Sequence, residues 1–105
     1  MQINYNIPST VTVYTLPERL DAINADGTYA DIKKHLDDNV PHLILDAGEL
    51  GYISSRGIYT LLLIRKELLN RKVTIAIIGS KAFIRELLGS FNAGRDLIGH
   101  KDKNE

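Results

Sequence analysis

Cysteine is absent from the 105-residue chain. That removes disulfides, thiolate metal ligands and cysteine nucleophiles together, and it fits a reducing compartment. Net charge is absent as well, because 13 basic and 13 acidic residues cancel. No global field draws the protein toward nucleic acid or anionic lipid, so neither is an expected partner. Long apolar stretches are also missing. A run such as Leu61–Ile64 falls far short of the roughly 20 residues that cross a bilayer as a helix. The start, MQINYNIPSTVTVYTLP, has neither the basic lead nor the long apolar centre of a secretory signal. These absences lead us to expect a cytoplasmic protein without membrane insertion.

What is present suits one ordinary globular domain. Apolar residues make up 44% and charged residues 25% of the chain, enough for a single core without metal or disulfide staples. Ile3–Ile7 and Val11–Leu16 alternate apolar and polar residues, as half-buried strands do, with Pro8 and Ser9 between them as a hairpin turn. Pro17 ends the second strand, since it cannot donate to a sheet ladder. Residues 18–40 read as a loop and then a helix. Tyr29, Ile32, Leu36 and Val40 fall on one face, Lys33, Lys34, Asp37 and Asp38 on the other, and Pro41 closes the segment. Asp21, Asn24 and Asp26 are each able to cap this helix.

His42–Ala47 and Val73–Gly79 are short apolar runs, the pattern of doubly covered strands. Between them a helix from about Ser55 to Asn70 buries Ile58, Leu61, Leu62, Leu68 and Leu69 and exposes Arg65, Lys66 and Arg71. A last helix over Ser80–Phe91 starts on Ser80 and turns Phe83, Ile84, Leu87 and Leu88 inward. Residues 92–98 form a loop or short strand, and 100–105 a polar tail expected to be disordered. The order β-β-α-β-α-β-α implies an α/β fold, a mixed sheet whose later strands are parallel. Short crossovers put the helices largely against one face. Residues 1–99 make a single domain.

The stretch that asks for a function is GYISSRG, residues 51–57. It follows a strand and opens a helix, where free backbone N–H groups and the helix dipole favour negative charge. On the residues alone Ser55 reads first as an ordinary N-cap; the alternative is that Ser54 or Ser55 takes a phosphate, with Arg56 able to help hold it. A hydrolase is disfavoured, because His35, His42 and His100 are the only histidines and GYISSRG is not G-x-S-x-G. No lysine follows Gly57, so no phosphate-cradling nucleotide loop is spelled out, and no histidine or acidic spacing supports a metal. The only polar cluster open to a small enzyme is Asp46, Glu49 and Tyr52 near Ser54 and Ser55.

LILDAGELGYISSRGIYTLL and VTIAIIGSKAFIRELLGSF together resemble the STAS domain family. The first half combines a strand ending in aspartate, a loop with glycine and an aromatic, and a hydroxyl-rich turn opening a helix. More narrowly, the chain is similar to stand-alone bacterial anti-sigma factor antagonists, whose helix opens on DSSG. Aligned on Gly57, the family's aspartate falls on Ser54, its phosphorylated serine on Ser55 and its second serine on Arg56. LPERLDA, with Asp21, resembles the family's G-x-L-D without its glycine, and GSFNAGRDLI stands where a GL turn would be.

The resemblance implies a non-catalytic protein without a cofactor. It would bind an anti-sigma factor with serine kinase activity and be released by phosphorylation at Ser55, or alternatively Ser54. The implied partner-binding residues are Asp21, Tyr52, Ser54, Ser55, Arg56, Gly57 and Tyr59. A second implied role is a scaffold or accessory subunit of a signalling or transport complex, in which the turn is never phosphorylated.

Overall fold

A computed structural model describes residues 11–36 and 40–90. The elements run β1 (Val11–Thr15), β2 (Arg19–Leu20), α1 (Ala25–His35), β3 (His42–Asp46), β4 (Tyr52–Ile53), α2 (Ser55–Asn70), β5 (Thr74–Ile78) and α3 (Ala82–Gly89). Strands β1, β3 and β5 form a three-stranded sheet in that order, with every neighbour parallel. Val13, Ile44 and Ala76 stand in register across it. Parallel neighbours need long crossovers, and α1 and α2 lie within the connections that supply them.

Side chains alternate between the faces of a strand, and burial follows that alternation. Leu43, Leu45 and Ile77 are buried, while the residues between them, Ile44 and Ile78, are half-buried or exposed. The same core takes Ile32 from α1, Ile58, Leu61, Ile64 and Leu68 from α2, and Ile84 and Leu88 from α3. All three helices therefore gather on one face, as the element order implied. The hairpin expected at the start is only half described: β1 is its second strand, and residues 3–7 lie outside the described residues. So do 92–98 and the tail at 100–105.

Several local expectations need correction. Asn24 is the N-cap of α1, but its side chain makes no capping bond there. The helix ends at His35, with Leu36 as C-cap, so Val40 lies beyond it. Ser54 rather than Ser55 caps α2. On α2, Leu69 is exposed and Ile64 takes the buried place. Ser80 does not cap α3. Lys81 stands at that N-cap without a side-chain bond, and Ser80 is buried. Of the four inward residues expected on α3, Ile84 and Leu88 are buried and Phe83 and Leu87 are exposed. A two-residue stripe at i and i+4 is all that this short helix lays on the core.

One element was not anticipated. β2 and β4 are two residues each and pair in parallel, Arg19 with Tyr52 and Leu20 with Ile53. Two residues carry no periodicity, so the pair left no mark in the sequence. It nevertheless determines what stands next to the Ser-Ser-Arg-Gly turn.

Candidate functional site

Ser54 has extended backbone, φ −94 and ψ 174, and its Oγ accepts from the N–H of Gly57 at 3.3 Å. Its own N–H donates to the Leu20 carbonyl at 3.0 Å, which carries the β2–β4 ladder one step further. Because Ser54 supplies the cap, Ser55 is the first helical residue and stands exposed, outside the capping bond. The chain then turns inward at Gly57, which is buried. A Cβ there would lie 2.4 Å from the Leu20 carbonyl oxygen and 2.8 Å from Ile53 Cγ1. Only glycine lets α2 sit this close to β2. Thr60, also buried, donates through Oγ1 to the Arg56 carbonyl at 3.0 Å.

The β2–β4 pair brings a second turn beside the first. Asp21 follows β2 directly and is 8% exposed. Its Oδ2 accepts from Arg19 Nε at 2.7 Å, and its Oδ1 from the N–H groups of Ile23 and Asn24 at 3.1 and 3.4 Å. Asn24 replies: its Oδ1 accepts from the Asp21 N–H at 2.9 Å and its Nδ2 donates to the Arg19 carbonyl at 2.8 Å. The Arg19 hydrogen bond, supported by the two N–H groups, holds the Asp21 carboxyl below its ordinary value against the opposing effect of burial. Asp21, named from sequence as a partner contact, therefore spends its carboxylate on shaping its own turn.

Two arginines tie these turns to exposed tyrosines. Arg19 lies 4.8 Å from the centre of the Tyr52 ring, and Arg56 5.7 Å from that of Tyr59. Arg56 Nη2 also bonds Asp26 Oδ1 at 2.7 Å, joining the first turn of α2 to the first turn of α1. That bond raises the already high pKa of Arg56, so the guanidinium stays charged. Six of the seven residues named from sequence thus surround one end of the molecule, with Tyr52 and Tyr59 exposed and Gly57 buried beneath. The seventh, Asp21, lies in the same end but largely inside it. Sequence reasoning missed Arg19 and Ile23 as members of this surface, and noticed Asn24 and Asp26 only as cap candidates. The Asp-x-x-Asn spacing of residues 21–24 was the available signal, since both side chains readily bond a local backbone.

Of the cluster kept open for a small enzyme, Asp46 has a structural partner and Tyr52 lies against Arg19. Asp46 Oδ1 accepts from the Gly48 N–H at 2.9 Å and so closes the turn after β3. Lys81 Nζ donates to the Gly48 carbonyl at 2.8 Å from the other side. His42 Nδ1 pairs with Thr74 Oγ1 at 2.6 Å across the sheet, and His35 Nδ1 with the Asp31 carbonyl at 2.8 Å. Among the described residues, no three His, Cys, Asp or Glu side chains gather, and no helix is long and apolar enough to cross a membrane.

Residues 2–97 match the family model described as the STAS domain. A search of curated proteins finds no match. Among solved structures, the sulfate transporter family protein from Wolinella succinogenes is similar with a TM-score of 0.76 and 16% identity, over 89% of this chain and 75% of that one. The SulP transporter STAS domain from Vibrio cholerae is similar with a TM-score of 0.69 and 20% identity, over 92% of this chain and 73% of that one. At such identities these likenesses concern the fold.

Proposed function

As a chain that belongs to the STAS domain family, the protein is one that we propose to be an anti-sigma factor antagonist, a regulatory binding protein rather than an enzyme. It docks, in the cytoplasm, on an anti-sigma factor that has serine kinase activity, and phosphorylation at Ser55 switches it off. The observation that carries this reading is the division of labour between the two serines. Ser54 makes the cap, and Ser55 is left exposed at the first position of α2. Around it stand Tyr52, Arg56 and Tyr59, the residue types that anchor protein interfaces.

The chemistry is a phosphoryl transfer from ATP on the partner. The Ser55 Oγ attacks the γ-phosphorus, the bond to the β-phosphate oxygen breaks, ADP leaves, and the hydroxyl proton goes to a base of the kinase. The product carries about −1.5 to −2 charge at neutral pH. At the start of a helix that charge is favourable, so the fold is unharmed. Against a docked surface without matching cations it is expelled, so the interface breaks.

The test is phosphate mapping on the peptide containing Ser54 and Ser55, together with binding to the anti-sigma factor recovered from the same cells. Ser55→Asp should abolish binding with the thermal midpoint unchanged, and Ser55→Ala should bind constitutively. Equal binding by both variants would sink the switch. Two findings favour a second reading, a scaffold or accessory subunit that is never phosphorylated. Arg56 stands where the family has its second serine, and the two solved structures named above come from transporter proteins. Phosphate-free Ser55 under all growth conditions, with a partner still bound, would select it.

A further inference from the structure

The β2–α1 turn displays an aliphatic side chain in a way that the core does not explain. Ile23 is 92% exposed, whereas the next most exposed large hydrophobic among the described residues, Tyr59, is 55% exposed. Its neighbour Ala22 is exposed too, so the tip of the turn is apolar. An isoleucine in water on a loose loop would mean little. This loop is not loose. The Ile23 N–H itself donates to Asp21 Oδ1 at 3.1 Å, and the Asp21–Asn24–Arg19 bonds close a ring around it. The Ala25 N–H adds a bond to the Asp21 carbonyl at 2.8 Å, which fixes the turn to the start of α1.

We infer that Ile23 is the specificity-determining anchor of the docking face, a rigid knob that enters an aliphatic pocket on a folded partner protein. The inference rests on the reading of this end as a protein-docking surface and names what that surface presents first. A β-branched side chain on a pinned turn loses little freedom on binding, so most of the gain from burying it is kept. The charges around it select the kind of partner. Arg19 is paired with Asp21 and Arg56 with Asp26, at 2.7 Å in each case. Neither guanidinium is left to draw an anionic membrane, and a lone isoleucine inserts too little apolar surface to hold one. A neutral, preorganised aliphatic tip fits a closed protein pocket. Asp21, Asn24 and Arg19 act through Ile23 as positioning residues.

The experiment uses the full chain in its own cells, with the photo-crosslinking residue p-benzoylphenylalanine at the exposed position 22, beside the intact Ile23, or at position 59. Both positions should capture the same protein. Adding Ile23→Ala to the position-59 variant should lower its capture about tenfold or more, and Ile23→Val should keep it within about threefold, with thermal midpoints unchanged. Capture from position 59 that is indifferent to Ile23→Ala overturns the anchor and leaves the docking face standing. Lipid adducts from position 22 without protein overturn it in favour of a membrane. No captured protein from either position overturns the anchor and the docking reading together.

Discussion

The β1–β3–β5 sheet and the β2–β4 pair are both parallel, yet they depend on opposite things. The large sheet has five-residue strands whose buried faces carry Leu43, Leu45 and Ile77, so its energy comes from area removed from water. The small pair has two residues a strand, and its closeness comes from one missing side chain, at Gly57, and from polar bonds around Asp21. One sheet holds the molecule together. The other holds two turns side by side, and those turns with the residues flanking them carry the exposed groups of the candidate site. Most of the stability and the candidate site are thus assigned to different strands of the same fold.

That separation can be broken first from the side of the core. Leu45→Ala in the central strand should cost about 2–5 kcal/mol of unfolding free energy in urea titration, while any native fraction keeps the Asp21 turn intact. Gly57→Ala should cost about 1–3 kcal/mol, because a methyl placed 2.4 Å from the Leu20 carbonyl must push β2 and α2 apart. Amide exchange should then rise at Ser54, Ile23 and Asn24 more than in β3. The same exchange of glycine for alanine at Gly27, inside α1, should have the reverse sign. Nothing lies within 4 Å of the added methyl there, and a helix interior gains about 0.5–1 kcal/mol from the change. If both alanine variants destabilise alike, the small pair is not glycine-dependent.

Acid gives the mildest test. The Asp21 carboxyl is held below its ordinary value in the folded chain, so the unfolded state binds more protons as pH falls. Its contribution is fully present above about pH 4, the unfolded value, and is lost as pH drops through the lower folded one. Glu67 behaves in the same direction, bonded by Tyr29 and Lys33 between α1 and α2. Asp21→Asn should lower the thermal midpoint near neutrality, where the ionised carboxylate holds its bonds, and converge on the parent chain as the pH falls below about 4, which removes part of the acid sensitivity. A titration curve identical to that of the parent chain would mean the Asp21 bonds are not formed in solution.

How much of this was legible follows from the same contrast. The large sheet and α2 were readable because burial writes itself into the sequence as apolar runs and helical spacing. Even the correction at Leu69 and Ile64 is a matter of which residues on one helix turn face in. The small pair was not readable, since neither Arg19–Leu20 nor Tyr52–Ile53 shows a period. The serines at 54 and 55 were both found, but which one caps depends on where the chain leaves β4, and that is decided by the Ser54 N–H on Leu20. Ser80 misled for a related reason: serine suits a cap, but here it is buried and Lys81 takes the position. Asp21 was singled out by resemblance and given the wrong freedom, because a side chain's local bonds are invisible until the turn is built.

The pairing of β2 with β4 has a consequence in time. α1 and β3 lie between Leu20 and Ile53 in the chain, so their contact closes a long loop for the reward of very few bonds. We expect contacts of that kind to form late, after the folding barrier is crossed. Substitutions at Gly57 should accordingly leave the refolding limb of a chevron almost unmoved and steepen the loss on the unfolding side, whereas Leu45 should act on both. The end of the molecule that carries the candidate site would then be the last part to assemble and the first to come undone.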